Sequence, residues 1–452
     1  MSQPPPTHAK ILVVGAGPCG LTTAISLIKN GIPIQDITVV DGALHGQNTS
    51  RAMVLHAATM EALESIGCVD NINLSSIHMQ GMRVQDGKGS PLLIGDLTSL
   101  QPYTKYAYSC NISQAHVEIE LHKEFERLGG HVFRPLKAIG MKPLQSGLQV
   151  TFESGEVITA KYVVAADGSR SVIRSVSGIS FADPDGIEKD KTIDPRTSQI
   201  VLADVSFDTS LEHVFPTDPY LGTFSISKDG LFLTSPLAHP QAKSVIYGAT
   251  DPIFRIGLSI PLDQGEAPSH PGIEVLQRYI DERGPMVISS NPSRNPNKPV
   301  HLKEVYWSSR FRTHSAIADT LFKRIHGDTE EGSGGIVMLV GDAAHIHSPI
   351  GGQGMNLGIR DAVGLGAVIA KHIQSTTNAN ATVDTDLQML QDFAKERYEK
   401  ASRQIAMTKR FVWFVVLLMN PWSIQYWVLY MLGSIPFFKR LLIWQLSGLG
   451  NR

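Results

Sequence analysis

A glycine-rich loop near the start of the chain constrains the fold more than any other feature. Residues 10–14 (Lys-Ile-Leu-Val-Val) predict a buried parallel strand, and residues 15–20 follow it as Gly-Ala-Gly-Pro-Cys-Gly. In a G-x-G-x-x-G turn Gly15 permits the bend, Gly17 lets backbone approach a pyrophosphate, and Gly20 lets helix and strand pack closely. An amphipathic stretch comes next, so the chain is predicted to begin with a βαβ unit that holds a dinucleotide at a helix N-terminus.

The second strand of this unit ends in a carboxylate. Residues 37–40 (Ile-Thr-Val-Val) predict a strand, and Asp41 follows it directly. A carboxylate at this position can accept hydrogen bonds from a ribose. The motif is shared by NAD and FAD sites, so on its own it does not choose between them.

Two later segments favour FAD. Residues 162–166 predict a strand that runs into Asp167, and residues 335–340 predict another that delivers Asp342 at its C-terminal end. Open α/β sheets place ligand contacts at that end of their strands. Asp342 can accept a hydrogen bond from a ribityl hydroxyl, which NAD lacks.

The residues after this aspartate are glycine-rich and lead into a helix. Pro349 and Gly352 belong to a stretch in which backbone can lie flat beside a ring system. A helix is predicted to begin near Met355 and Asn356. Its unpaired N–H groups can stabilise negative charge on a flavin pyrimidine ring.

Composition excludes several classes of protein. A chain of 452 residues suggests two domains with a tail, and a net charge of -2 gives no basis for a nucleic-acid surface. The three cysteines, Cys19, Cys68 and Cys110, form neither a metal pattern nor a disulfide framework, which favours a reducing compartment. No apolar run precedes the first strand, so no signal peptide is predicted, and a cytoplasmic location is expected.

Together these segments resemble the class A FAD-dependent aromatic monooxygenases of the p-hydroxybenzoate and phenol hydroxylase type, in a short form with an apolar helical C-terminus. The resemblance covers most of residues 10–365 and extends to Ser50-Arg51-Ala52 and to Gln114. It implies that Arg51 and Gln114 contact the flavin, and that Asp167 serves both the cofactor and NAD(P)H. The predicted cofactor-binding residues are Gly15, Gly17, Gly20, Asp41, Arg51, Gln114, Asp167, Asp342, Pro349, Gly352, Met355 and Asn356.

The resemblance also implies the chemistry. FAD reduced by NAD(P)H would react with O₂ to a flavin C4a-hydroperoxide, which hydroxylates or epoxidises an aromatic or other electron-rich, lipophilic substrate in secondary metabolism. No catalytic residue can be assigned and no metal site is predicted; His345 is interpreted as structural. The alternatives are a flavoprotein that does not oxygenate, similar to a flavin reductase or halogenase, and a flavin-binding protein at a membrane surface.

The predicted fold class is α/β, with a Rossmann-like FAD-binding domain, a mixed or antiparallel substrate-binding sheet and C-terminal helices. The FAD-binding domain is expected to comprise residues 1–75, 109–180 and 311–400. The substrate domain is expected to comprise residues 76–108 and 181–310, where short β-rich segments alternate with Gly, Pro and Asp. The candidate substrate-pocket residues are Val54, Tyr220, Phe224, Phe232 and Tyr247.

Residues 401–452 form a hydrophobic tail. The most apolar part, residues 411–446, contains four of the chain's tryptophans but is broken by Asn420-Pro421 and by Pro436, and a spanning helix needs ~20 apolar residues. Three interpretations remain open. The helices could cap the protein's own core, form a homodimer contact, or lie in a membrane interface as a peripheral anchor.

Overall fold

The computed structural model describes residues 4–44, 52–186, 195–210, 214, 218, 220–228, 230–237, 247–296, 298–312, 314–327, 334–349, 351–377, 383–420, 422 and 424–451. Its strands are β1 (His8–Val14), β2 (Ile37–Val40), β3 (Val54–Leu55), β4 (Ile77–Met79), β5 (Gly81–Asp86), β6 (Pro91–Asp96), β7 (Ser109–Asn111), β8 (Val132–Phe133), β9 (Ala138–Leu144), β10 (Gly147–Phe152), β11 (Val157–Ala165), β12 (Phe181–Ala182), β13 (Gln199–Phe207), β14 (Leu221–Ser227), β15 (Gly230–Pro236), β16 (Phe254–Ile260), β17 (Leu302–Arg312), β18 (Ala316–Ala318), β19 (Phe322–Ile325), β20 (Gly335–Leu339) and β21 (His345–Ile346).

Its α-helices are α1 (Pro18–Lys29), α2 (Ala57–Ser65), α3 (Asp70–Leu74), α4 (Gln114–Arg127), α5 (Val172–Val176), α6 (Ile273–Arg283), α7 (Gln353–Thr377), α8 (Val383–Leu418), α9 (Ile424–Leu432) and α10 (Pro436–Leu446). Short 3₁₀ turns occur at Ile34–Asp36, Leu97–Leu100, Leu262–Gln264, Met286–Ile288, Gly341–Ala343 and Leu449–Asn451.

The first sheet is mostly parallel and has the strand order β19-β20-β11-β1-β2-β8, with β10 and β9 attached beside β11. Strands β20, β11, β1 and β2 are parallel neighbours, so their C-terminal ends share one edge. Each of three predicted ligand segments follows such an end: Asp41 follows β2, Asp167 follows β11, and Asp342 follows β20. The register of this sheet therefore assembles segments that lie up to three hundred residues apart in sequence.

The second sheet has the order β17-β13-β16-β15-β14-β5-β6 and is antiparallel except for the pair β14 and β5. Its strands come from two distant parts of the chain, 81–96 and 199–312. One face packs on α6 through a core that includes Val201, Phe232 and Leu276. The other face packs on the C-terminal helices, where Ile200 and Leu202 meet Val412 and Leu418.

The C-terminal helices α8, α9 and α10 cover the second sheet with one side only. Val415, Met419 and Tyr426 are buried against it, whereas ten of the 21 exposed large hydrophobic residues of the described chain lie between Trp413 and Leu441. Within the described residues no single helix meets the length and hydropathy needed to cross a membrane. The segments Tyr426–Leu432 and Pro436–Leu446, which are bent by 91°, meet it only as a pair.

The predicted fold class is confirmed: a parallel α/β sheet, a largely antiparallel second sheet and C-terminal helices make up the molecule. The apolar run of β1 is buried from Ile11 to Val14 because helices cover both faces of its sheet, as expected for a parallel strand.

Candidate active site

One cavity of about 530 Å³ lies between the two sheets. The first sheet supplies the glycine loop and the segment after β20, and the second sheet supplies its apolar face. The C-terminal helices supply the last part of the wall, through Phe411, Ile443 and Leu446. All three parts of the fold therefore meet at one space.

The glycine loop at the cavity edge is shaped by two close approaches. A Cβ on Gly20 would lie 1.8 Å from the carbonyl oxygen of Gly15, which itself has φ +105°. Only glycine therefore allows α1 to pack so tightly on this turn. Among the described residues other than its two neighbours in sequence, a Cβ on Gly17 would meet no atom within 4 Å, and Gly17 lines the cavity at the N-terminal end of α1. The loop thus leaves free space at the place where helix N–H groups can bind an anion.

Asp41 stabilises this loop with both carboxylate oxygens. Its Oδ2 accepts from the Ala16 N–H at 2.7 Å, and its Oδ1 accepts from the Ala43 N–H at 2.8 Å. Arg134 lies 3.3 Å from the same Oδ1. Glu118 interacts with the charges of both Arg134 and Asp41. Burial raises the pKa of Glu118 to about 7; Arg134 opposes this increase and Asp41 adds to it. Glu118 was not among the sequence candidates, because no local motif marks a helix residue brought to this place by packing.

Asp167 caps a short helix and retains one oxygen without a partner. Its Oδ2 accepts from the N–H groups of Val172 at 2.8 Å and Ile173 at 3.2 Å. Its Oδ1 is buried and has no hydrogen-bond donor in the described chain. Burial raises the pKa of Asp167, although the hydrogen bonds oppose this effect. Its sequence neighbours Ala166, Gly168 and Ser169 line the cavity, but Asp167 itself does not, so the predicted contact of its side chain with the cofactor stays a prediction.

Asp342, Pro349, Gly352 and Met355 all line the cavity, in the segment between β20 and the first turn of α7. Asn356 is different, because its side chain is fully buried and connects chain segments. Its amide donates to the carbonyls of Val54 at 2.8 Å and Gly352 at 2.7 Å, and its Oδ1 accepts from the His56 N–H at 2.8 Å. Asn356 therefore holds the glycine turn against β3.

Gln114 also lines the cavity, at the first position of α4. Ser113 caps this helix by accepting from the His116 N–H, which fixes the position of the first turn. Arg51 lies outside the described residues, so its predicted contact with the cofactor stays a prediction.

The five candidate substrate residues are in different places. Val54 and Phe224 line the cavity. Tyr220 is half exposed and away from it, and Phe232 is buried in the core on the opposite face of the second sheet. The hydroxyl of Tyr247 donates a hydrogen bond to Asp204 at 3.0 Å. Burial, and to a smaller extent the negative charge of Asp204, raise the pKa of the Tyr247 phenol.

Asp204 belongs to a buried ion pair that the sequence did not indicate. It is directly opposite Arg255 on neighbouring strands β13 and β16, and Arg255 Nη2 donates to Asp204 Oδ2 at 2.8 Å. Neither side chain has accessible surface. Burial works against the charged guanidinium, but the pair with Asp204 outweighs it and raises the pKa of Arg255. The pair joins β13 to β16, and of its two members Arg255 lines the cavity.

Two histidines in the cavity wall were also missed as site residues. His56 and His347 both line the cavity, and burial lowers the pKa of each to about 4. His345, predicted to be structural, has its Nε2 2.8 Å from Asp361 Oδ2 and is buried. The spacing of His345 and His347 in sequence gave no sign that one belongs to the core and the other to the cavity.

Comparison with known proteins gives the following matches. A family model for the FAD binding domain matches residues 8–230 and 300–395. The 6-methylpretetramide 4-monooxygenase of Streptomyces rimosus is 25% identical over 404 residues, which are 88% of this chain and 61% of that protein. The dialkyldecalin synthase of Streptomyces rugosporus is 25% identical over 404 residues, covering 88% of this chain and 71% of that protein.

Among solved structures, p-nitrophenol 4-monooxygenase from Pseudomonas putida DLL-E4 matches with a TM-score of 0.73 at 20% identity, over 99% of this chain and 100% of that one. At this identity the match shows a shared fold. This chain spans less than two thirds of the length of the Streptomyces rimosus relative.

Proposed function

This chain belongs to the FAD binding domain family, and we propose that it is an FAD-dependent monooxygenase. It uses NAD(P)H and O₂ to hydroxylate or epoxidise an aromatic or other electron-rich, lipophilic molecule, in secondary metabolism. One observation carries this proposal: a single cavity joins the glycine loop of the first sheet to the apolar face of the second. Relatives named as monooxygenases, including the Streptomyces rimosus enzyme, support it.

The residues around the cavity fit FAD. Gly17 and Gly354 line the cavity, and an added Cβ at either would meet no non-adjacent side chain of the described part of the chain within 4 Å, which leaves room for a ligand. Asp342 supplies a carboxylate to the cavity wall, and Gly168 and Ser169, which follow Asp167 in sequence, line the same wall. When bound, FAD supplies the electron transfer and oxygen activation that no amino-acid side chain can perform.

The protein's own residues bind and orient the substrate and exclude water. Alternate residues of the second sheet, Ile200 and Leu202 on β13 and Leu231 and Leu233 on β15, point to the cavity, because side chains alternate between faces along a strand. Phe224 adds an aromatic surface. This wall suits a flat apolar molecule held against the glycine-rich segment of the first sheet.

The test begins with the colour of the purified protein. We expect bound FAD, oxidation of NADH or NADPH that aromatic substrates accelerate, and a product heavier by one oxygen atom when the reaction is run under ¹⁸O₂. Phenols, naphthols and polycyclic hydroxyquinones form the substrate panel. NAD(P)H oxidation that yields only hydrogen peroxide across the panel would contradict oxygenation.

A second candidate function is a flavoprotein that does not oxygenate its substrate. It is favoured by the similarity to dialkyldecalin synthase, whose name describes a ring-forming reaction. The same experiment separates the two, because this candidate predicts bound FAD with no substrate-dependent oxygen uptake. A flavin reductase would instead oxidise NAD(P)H at the same rate with and without an organic substrate.

We also propose that residues 411–446 contact an anionic membrane surface. Between residues 400 and 452 the chain has seven Lys or Arg and no Asp or Glu, so the preceding 399 residues carry a net charge of -9. Trp422 and Phe437 are 93% and 76% exposed, and Lys439 and Arg440 follow directly. Exposed aromatic residues beside basic ones are typical of helices that lie in a lipid headgroup region. Ile443 and Leu446 of the same segment line the cavity.

Sedimentation with lipid vesicles tests the membrane contact. We expect binding to vesicles of phosphatidylcholine with phosphatidylserine, weaker binding to phosphatidylcholine alone, and loss of binding in Trp422→Ser with Phe437→Ser. Leu262→Ser is the matched control, because Leu262 is 46% exposed but lies outside the segment. A wild-type protein that does not sediment with the anionic vesicles, but forms a dimer that the double variant disrupts, would show that the surface is a contact between copies.

A further inference from the structure

A second cavity adjoins the first, which holds the candidate active site. Its volume is about 30 Å³, and it lies between the second sheet and helices α8, α9 and α10. Four residues line both cavities, namely Met82, Phe224, Leu231 and Phe411. The two spaces are therefore neighbours, separated by no more than these residues.

The strands of the second sheet pass from one cavity to the other on a single face. On β14, Phe224 lines both cavities, and Ile226 lines only the second. On β5 the same relation holds between Met82 and Val84. Residues two positions apart lie on the same face of a strand, so the second cavity continues the apolar face against which the substrate is proposed to bind.

The C-terminal helices show the same progression on the opposite wall. On α8, Phe411 lines both cavities, and the residues that line only the second follow three, four and seven positions later, at Phe414, Val415 and Leu418. This spacing keeps them on one face of the helix. On α10, Leu446 lines the first cavity and Leu442, one turn earlier, lines the second. The second cavity is therefore an extension of the first along the inner side of these helices.

The residues around the second cavity select a hydrocarbon. Among the described residues that line it, only Tyr430 has a nitrogen or oxygen atom in its side chain. A polar group placed there would lose its hydrogen bonds to water without replacement. The volume suits about two water-sized groups, since one needs ~15 Å³. This is too little for a ring, and the occupant that fits is the end of an unbranched chain.

We propose that the second cavity binds the end of an unbranched hydrocarbon chain carried by the substrate, while the group to be oxidised lies in the first cavity. This inference rests on the proposed function and narrows it to molecules with an alkyl substituent. Burial of the chain contributes affinity at a distance from the reaction and restricts movement of the ring. Tyr430 is 43% exposed, so the second cavity lies close to the outer surface, and an acyl chain of a lipid has the same chemistry.

The test measures binding of 4-n-alkylphenols by isothermal titration calorimetry, without NAD(P)H. Ile226→Phe fills the second cavity from the sheet and Val415→Phe fills it from α8, and neither residue lines the first cavity. We expect each variant to bind 4-n-heptylphenol about 15-fold more weakly than the wild type does, the contribution of about two buried methylene groups. 4-Ethylphenol, which is confined to the first cavity, should bind all three proteins alike. Ile226→Leu conserves the volume and should keep the wild-type affinity for both probes.

A comparison of two isomers needs no substitution. 4-n-Pentylphenol and 4-tert-pentylphenol have the same number of carbon atoms, and only the unbranched chain can pass the residues that the two cavities share. We expect the wild-type protein to bind the unbranched isomer about fourfold more tightly, the contribution of one methylene group. n-Heptanol carries the chain without the ring, and should bind about 10-fold more weakly than 4-n-heptylphenol.

Three results would overturn the proposal. They are equal affinity for the two pentylphenol isomers, an unchanged affinity for 4-n-heptylphenol in both phenylalanine variants, and binding of n-heptanol as tight as that of 4-n-heptylphenol. The last result would assign the second cavity to a lipid acyl chain. Failure of the monooxygenase proposal is seen separately, as absent turnover, because the calorimetric binding constants require neither a reductant nor oxygen.

Discussion

Two alanine substitutions in the same loop, Gly17→Ala and Gly20→Ala, should have opposite effects on stability and on FAD affinity. At Gly17 the backbone has φ -73° and ψ -177°, which alanine adopts without strain, and the added methyl lies more than 4 Å from every non-adjacent residue that the structure describes. Stability should therefore be unchanged or higher by about 0.4–1 kcal/mol, since alanine restricts the unfolded chain. The methyl group instead enters the space for the pyrophosphate, and FAD affinity should fall about 10- to 100-fold, or about 1.4–2.8 kcal/mol.

At Gly20 the added Cβ would lie 1.8 Å from a backbone oxygen, so α1 must move away from the loop. We expect the free energy of unfolding to fall by about 3 kcal/mol, the upper part of the range for overpacking. Urea unfolding of the FAD-free proteins, followed by tryptophan fluorescence, measures stability, and quenching of FAD fluorescence measures affinity. Gly17→Ala protein that binds FAD as tightly as the wild type would refute the assignment of this space to the cofactor. An unchanged urea midpoint in Gly20→Ala would refute the close approach.

Three further predictions concern stability. The pKa of His56, like that of His347, is about 4 in the folded protein and about 6.5 in the unfolded chain, so the unfolded state binds protons first and stability is lost as pH falls below 6.5. Each histidine should lower the unfolding free energy by about 2 kcal/mol between pH 7 and pH 5. His56→Asn should reduce the dependence of the unfolding free energy on pH, as measured by urea unfolding. The pKa of Glu118 is raised to about 7, so stability falls as pH rises from 4.5 through 7. Glu118→Gln should therefore raise the unfolding free energy at pH 8 by up to about 3 kcal/mol. Its urea midpoint should be higher than that of the wild type at pH 8 and the same at pH 4.5. Ile443→Ala should lower the unfolding free energy by about 2–4 kcal/mol, because this side chain is buried in the hydrophobic core that surrounds the first sheet. An unchanged urea midpoint would mean that α10 detaches from this core without cost.

The fold class and the use of FAD could be predicted because their signals are local. A strand, a glycine turn and a helix N-terminus occur within twenty residues around Gly17, and the match to the FAD binding domain confirms the cofactor. The parallel pairing of the strands then determines where the later acids lie. When β20 pairs with β11 and β11 pairs with β1, the acids that follow β20 and β11 lie at the same edge of the sheet as the glycine loop.

The wall of the substrate cavity was harder to predict, because alternation along a strand defines two faces without saying which one faces the ligand. Phe224 and Phe232 both lie on short β-rich segments, yet only Phe224 reaches the cavity, while Phe232 packs on α6. A shift of one residue in the register of either strand would turn its phenylalanine to the other face of the sheet. Likewise Asp204 and Arg255 are 51 residues apart, and only the pairing of β13 with β16 brings them together.

The tail shows most clearly why neither composition nor periodicity suffices. Its apolar residues serve two surfaces: Ile443 and Leu446 line the cavity, whereas Trp422 and Phe437 are exposed. The inner side is also tied to the helix that follows the glycine turn, because Gln353 donates to the Leu446 carbonyl at 3.0 Å. A partner that binds the exposed side of the C-terminal helices therefore contacts the same segment whose other side lines the cavity. If the membrane contact proposed above exists, lipid binding should change the affinity for substrate as well as the location of the protein, since a ligand shifts any equilibrium in which its two states differ in affinity.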